Sequence, residues 1–526
     1  MKSFTQEDFD LLQAMLMHDN DEFVYEALDY LKGMNPPMEL WWALFDIEPI
    51  ESFDEWVEWL AQEEDICPHH RILASVVLGV FVEQKPEITA GVTHLSLMGC
   101  SIFEIPSWVS HFKNLEFLNL AYNPITEVSS VIAGLPLFNL TLAHCSLTSL
   151  PDCIGELSEL RVLHCGHNQI TSISDTVFNL EQLEVLSLHD NQLTSVPTQW
   201  QFLRSLTHLD LTLNPLGDVP SVLEDSERLD VLLLNGCGLT VLPDWIGGLQ
   251  SLKTMSLGGN PLRCLPESIG QLKNLRQLSL WDCILTEVPE SIGEIALTEL
   301  DLSYNQLTLL PNSLEDCNLQ RLVVLGNPLV ELPLGLKKVS LDAKQMEMLR
   351  DQMVDLQCLE TLNLADRDIS VVPESIRNLT HLKELVLSEN ELTELPDWLA
   401  ELTHLESLDV WLNPLESLPS GLTSLTLSYD QFEQFNTQLG EMTKLKHFGL
   451  TNNTLLLIPP LIGELTQLES LDLHGNDIVR LPLWIGEMPY LRRLNLNGNP
   501  ISIKEIDAFK QAYAHIQLIW DGGSEN

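Results

Sequence analysis

The feature that most constrains this chain is a repeat. Between Val92 and Leu491, 19 successive units open on leucine or valine; of the 18 intervals between their starts, 13 are 23 residues, three are 22 and two are 17. Each unit follows L-x-x-L-x-L-x-x-N-x-L-x-x-L-P-x-x-I-G-x-L-x-x, as in "LKTMSLGGNPLRCLPESIGQLKN" from Leu252 to Asn274. The L-x-L alternation predicts a short strand with one buried face, while Ile269, Leu272 and Leu275 recur at the spacing of a helical turn. One strand and one turn cannot bury their own leucines, so neighbouring units have to stack into a solenoid. The proline after the second leucine block, as at Pro243, Pro266, Pro289, Pro396 and Pro482, fixes φ and ends strand pairing, sending the chain round to the back.

This pattern is the leucine-rich repeat signature. The "LPxxIGxLxxL" consensus resembles the intracellular Ras-suppressor-type leucine-rich repeat family over about 400 of the 526 residues. The resemblance implies an α/β solenoid bent into a horseshoe, with a parallel β-sheet on its concave face that binds proteins, a small GTPase-type signalling protein among them. Eighteen strand steps of about 4.8 Å give an inner arc of roughly 90 Å, a surface suited to a macromolecule.

The ninth position of the unit is Asn in 12 of the 19, including Asn123, Asn168, Asn191, Asn214, Asn260 and Asn305. Turned inward, an Asn side chain satisfies the backbone groups freed where the strand ends. Cys100, Cys145, Cys237 and Cys283 take the same place, and a small, readily buried, weakly donating thiol is a fair substitute. No two of these cysteines occupy adjacent coils. Cys100 and Cys145, like Cys237 and Cys283, stand two coils or roughly 10 Å apart, too far for a disulfide or a shared zinc. The expected role is a structural ladder.

On the strand, the second, third, fifth, seventh and eighth positions of each unit are expected on the concave face. They hold 17 acids and 10 bases, so this face is nearly mixed in sign although the chain carries −49. Histidines gather in the third to sixth coils, as His144, His164, His167, His189 and His208, with Asp190 and Asp210 among them and Tyr122 one coil earlier. Two histidines and a carboxylate in consecutive coils have the donor types and spacing zinc takes, and an enzyme or effector with a metal or acid/base site at this His144–Asp190 cluster or in the N-terminal domain is one alternative. The plainer reading, a polar and partly aromatic contact surface responsive to pH, is preferred, with no metal or cofactor. Trp281, Asp282, Asp301 and Tyr304 form a second candidate contact cluster, and Asp409 with Trp411 a third. Arg321, Lys337 and Lys338 make a small basic spot between them. Trp108, Trp245, Trp398 and Trp484 fall on the convex side and are expected to be structural.

Two units, Leu319 to Gly335 and Leu405 to Gly421, lack six convex residues, and thinner backs are expected to open shallow clefts. Three divisions follow. Residues 1–90 are an acidic α-helical N-terminal domain or cap, with 20 acids against four bases and a capping box at Ser52 and Glu55; residues 91–500 are the repeats; residues 501–526 are a C-terminal cap with Ile503, Ile506, Tyr513 and Ile516 near helical spacing.

The charge of −49 argues against nucleic acid and favours a basic protein partner. The acidic N-terminus does not read as a secretory signal, and the longest apolar run, Ile72–Val82, is too short to span a bilayer. Ten cysteines without a C-x-x-C pair fit a reducing, cytoplasmic setting. No phosphate loop, G-x-S-x-G elbow, H-E-x-x-H or kinase signature occurs. The expected function is a non-enzymatic, intracellular protein-binding scaffold or sensor, with a glycan or peptide recognition module as a further alternative; the residues leave its oligomeric state open.

Overall fold

The computed structural model describes residues 85–521 together with Ser75, Leu78, Gly79, Val82 and Glu83. The expected N-terminal helical domain, with its Ser52–Glu55 capping box, therefore lies almost wholly outside the described residues. Two compact units divide the chain: the first runs to Leu262 and takes in Gln271–Leu275, and the second comprises Arg263–Gly270 and everything from Arg276.

Each coil contributes a three-residue strand whose middle residue is the fourth of the repeat, buried, with its two neighbours on the open face. In the first unit these strands pair in parallel, in chain order, from His94–Ser96 to Thr254–Ser256. In the second the same pairing runs from Gln277–Ser279 to Gln517–Ile519. Leucine faces leucine in most pairs, as in Leu95↔Leu118 and Leu163↔Leu186, with Met255, Val339 and Phe448 taking its place in three coils. A slip of one residue would turn every such leucine to solvent, so burial sets the register.

The back of most coils is a single turn of 3₁₀-helix rather than α-helix. Proline stands immediately before it, as Pro243 before Asp244–Gly248, and the turn closes with Ile246 N donating to Pro243 O at 3.1 Å and Leu249 N to Ile246 O at 3.1 Å. Five residues between the proline and the next buried leucine leave room for no more.

The asparagine ladder is present. In 11 of the 12 units with Asn at the ninth position, its Nδ2 donates to a carbonyl of the preceding coil. Asn260 is representative. Its Nδ2 approaches Leu234 O at 2.8 Å and Leu257 O at 2.6 Å, and its Oδ1 accepts from Cys237 N at 2.9 Å and Leu239 N at 3.0 Å. Cys237 does the same with sulfur, its Sγ donating to Leu211 O at 3.2 Å, and burial pushes the thiol up to about 11. Cys145 Sγ likewise reaches back to Leu120 O at 3.5 Å. The nine cysteines among the described residues are free thiols.

The coils after the two truncated units depart from the sequence expectation. They carry α-helices, Ala343–Met348 in one and Tyr429–Gln434 followed by Asn436–Glu441 in the other. Asp342 with Gln345 and Ser428 with Gln431 form capping boxes. The two glutamines take over the ladder: Gln345 Nε2 donates to Val324 O at 2.7 Å and Gln431 Nε2 to Asn413 O at 2.9 Å. Asn453, one coil later, is diverted, and its Oδ1 accepts the free N–H of Tyr429 at the helix start, 2.8 Å away. A cleft of about 180 Å³ lies against the first truncated unit, between Glu315 and Gly335, and one of about 880 Å³ lies in the coils after it, between Met346, Arg350 and Pro373.

At the far end Ser502 caps the helix Ile503–Ala512, which buries Ile506 and Phe509, and Gln517–Ile519 adds the last strand. Ile503, expected on the buried stripe, is exposed because the helix begins there and the stripe starts one turn later. At the near end Leu78 and Val82 are buried, and the Trp108 indole packs against Gly79.

Removing the Asn260 side chain strands two N–H groups and two carbonyls in the core. At about 1 kcal/mol for each hydrogen bond lost, Asn260→Ala should cost about 4 kcal/mol in urea unfolding, whereas Cys237→Ala, which loses one weak S–H bond, should cost about 1 kcal/mol.

Candidate functional site

The residue just before the ladder position ends the strand with a positive φ. This holds at the eighth position of 17 of the 19 units; the two exceptions are the coils whose helices begin there. Six of the 17 are glycine, which enters this region freely, and eleven are not, each at a cost of about 1 kcal/mol. The left-handed residue turns the ladder side chain inward and leaves its own side chain on the strand face.

In the first unit this row is filled in consecutive coils by Tyr122, His144, His167 and Asp190. The rings stack face to face: Tyr122 and His144 have centroids 4.2 Å apart, and His144 and His167 4.0 Å. The column ends on an ion-pair geometry, with His167 Nδ1 donating to Asp190 Oδ2 at 2.6 Å. His189 meets His167 edge-on at 4.6 Å and lies over Gly166, where a Cβ would collide with its ring. Its Nδ1 is 2.7 Å from Ser187 Oγ and 3.4 Å from Asp210 Oδ2. His208 stands apart, exposed, with Nδ1 at 2.8 Å from Thr207 Oγ1.

Burial, then the nearby His167 and His189, hold the His144 imidazole below its ordinary value of 6.5. Burial and His189 do the same to His164, on the floor of the sheet, while Asp210 opposes them. These donors do not converge. Among the described residues, no group of three or more His, Cys, Asp or Glu side chains is arranged to hold a metal ion.

A second aromatic column on the same face escaped the sequence reading. His94 stacks on Phe117 at 4.1 Å, Phe117 meets Phe138 at 5.6 Å, and the Arg161 guanidinium lies 5.4 Å from the Phe138 ring centroid while pairing with Glu184 at 2.7 Å. Its members sit at the second and third positions of adjacent units, so the signal was aromatics recurring near 22-residue spacing rather than along one run.

In the second unit Trp281, Asp282 and Tyr304 are exposed, and the Tyr304 ring leans over Gly326, where a Cβ would come within 2.7 Å of it. Arg321 is exposed, and Lys338 Nζ donates to Gln320 Oε1 at 2.9 Å. The carboxylates at the fifth position have a local duty that the sequence reading did not assign. Asp210 accepts from Thr212 N, Asp301 from Ser303 N and Asp409 from Trp411 N, at 2.9–3.0 Å, closing the turn two residues on. Burial raises the Asp409 carboxyl above its usual range. Trp411 is half-buried beside it.

Comparison with known proteins agrees with this geometry. The leucine-rich repeat family model matches residues 158–216 and 357–415, and a second leucine-rich repeat model matches 296–317. No curated protein matches by sequence. Among solved structures, the Leptospira interrogans LRR protein LIC12759 is 28% identical over 83% of this chain and 97% of its own, with a TM-score of 0.52. The Arabidopsis receptor kinase HAESA, solved with the peptide hormone IDA and the co-receptor SERK1, is 20% identical over 82% of this chain and 90% of its own, with a TM-score of 0.43. The plant peptide hormone receptor RGFR1, in complex with RGF2, is 23% identical over 82% and 86%, at 0.39. The repeated strand, the asparagine ladder, the family-model matches and the likeness to LIC12759 together give the chain the leucine-rich repeat fold.

Proposed function

We propose that this protein is a non-enzymatic scaffold or sensor that binds a partner protein on its strand face, as the resemblance to Ras-suppressor-type repeats implies, and that it works in the cytoplasm. The partner is basic in net character, a small GTPase-type signalling protein being the class the resemblance offers. The observation that carries this reading is the eighth-position row: eleven non-glycine residues accept a left-handed backbone where glycine would cost nothing. Tyr122 and Tyr304 are the most exposed large rings in that row, at 54% and 60%. Exposed aromatics on rigid backbone bury area on binding with little entropy loss.

Partner retention by the intact chain in a pull-down tests it. Tyr122→Ala with His144→Ala, and Trp281→Ala with Trp411→Ala, should each weaken retention roughly tenfold or more, the scale of a contact hot spot. If both pairs keep every partner, the strand face is not the binding face.

The histidine column makes a second expectation. His144 and His164 have lowered folded-state values, so the fold favours their neutral forms. The stability this contributes is complete above the unfolded value of 6.5 and is lost as pH falls through the lowered ones. Imidazole proton resonances should therefore titrate with midpoints below 6.5 for both residues. The urea midpoint should fall on acidification below neutrality, and less steeply in His144→Phe, which keeps the stack without the titrating group.

A further inference from the structure

The second truncated coil does more than thin the back. Strand pairing there falls to one residue pair, Asp409↔Thr426, against three in ordinary neighbours. Ser424 Oγ fills the gap, accepting from Leu408 N at 3.0 Å and donating to Glu406 O at 2.9 Å. The residues that follow on the floor, Thr426 and Gly449, are small. The result is a groove of about 660 Å³ on the strand side of the second unit.

Its charges are sorted by end. Several cancel within the rim: Glu360 pairs with Lys383 at 3.1 Å and Lys446 with Glu469 at 2.7 Å. Asp472 is taken up by its own turn, accepting from His474 N at 3.1 Å, and by Asn495 Nδ2 at 3.2 Å. His447, half-buried on the floor, is pushed towards the neutral form by burial, against the pull of Glu406 and Glu469. Of the remaining rim charges, Lys338 lies at the outer margin and is bonded to the neutral Gln320 Oε1 at 2.9 Å; Glu384 and Glu406 stand inside it at that end and the exposed Arg492 and Arg493 at the other, and none of these four forms an ion pair among the described residues. Five coil steps separate the ends, about 24 Å, the span of roughly seven residues of extended chain.

We propose that this groove takes an extended segment of a partner protein, about seven residues long, basic at one end, acidic at the other and small and polar between. The basic end lies over Glu384 and Glu406, and the acidic end over Arg492 and Arg493. Small floor residues let the segment's backbone approach the sheet, and the sorted rim charges set its orientation. The inference rests on the strand face being a protein-binding surface and names the chemistry of one segment bound there.

An array of octapeptides carrying two Lys and two Glu in every order on a Ser/Gly background, probed with the full-length chain, tests it. Peptides with the Lys pair at one end and the Glu pair at the other should be retained roughly fivefold above their alternating isomers. That preference should vanish near about 0.5 M salt, where exposed charges are screened. Glu384→Gln with Glu406→Gln should abolish the preference for the Lys end alone, and Arg492→Gln with Arg493→Gln that for the Glu end alone. Equal retention of block and alternating isomers, or of peptides of a single sign, overturns the proposal. If the array shows no preference while Tyr122→Ala with His144→Ala still loses partner in the pull-down, the groove assignment fails and the strand-face reading stands. If neither assay responds, both fail.

Discussion

Everything in this fold depends on one buried amide. A coil can be short only if its strand stops after three residues, and a strand that stops inside a core leaves carbonyl and N–H groups with no water to bond. The ninth-position Asn reaches back one coil with both Nδ2 and Oδ1, and its Nδ2 also bonds a carbonyl of its own coil, so each ladder residue closes two turns at once. Where Asn is absent, the same demand is met otherwise. Cys237 meets it with a thiol, Gln345 and Gln431 meet it from the first turn of an α-helix, and each solution reshapes the coil around it.

That constraint also builds the candidate binding surface. Turning the ladder side chain inward requires the preceding residue to adopt a positive φ, and this places its side chain on the strand face, one coil-step from its equivalents in neighbouring coils. Rings placed there stack, as Tyr122, His144 and His167 do; where glycine follows, the side chain lies over it, as Tyr304 lies over Gly326. The two units use the device differently. The first carries two aromatic and imidazole columns; the second carries isolated aromatics and a charged groove opened by a coil six residues short.

Much of this was legible in the sequence. The leucine period specifies the strands and their register, and the Asn and Cys positions specify the ladder. The single-turn backs follow from the residues left between proline and the next leucine, although their period suggested a helix. The coils after the truncated units were harder: Asp342 with Gln345 and Ser428 with Gln431 are capping-box signals, but they sit where the repeat leads one to look for Asn. The fifth-position carboxylates were misjudged in part, since Asp301 and Asp409 are spent on their own turns as much as offered to a partner. The column through Phe117 and Phe138 went unnoticed because its members lie in different units and shift by one position between them.

By itself the sequence determined the repeat, the parallel sheet, the buried ladder and the inertness of Cys237, because those follow from which residues recur at which spacing. Only the tertiary structure decided which side chains meet. Residues 17 to 23 apart become neighbours at about 5 Å, and whether they stack, pair or leave a groove depends on the turn geometry of one coil and the side-chain size in the next. The stacking of His144 between two rings, and the separation of Glu384 and Glu406 from Arg492 and Arg493 across a floor that includes Ser424, Thr426 and Gly449, exist only once the coils are laid against one another.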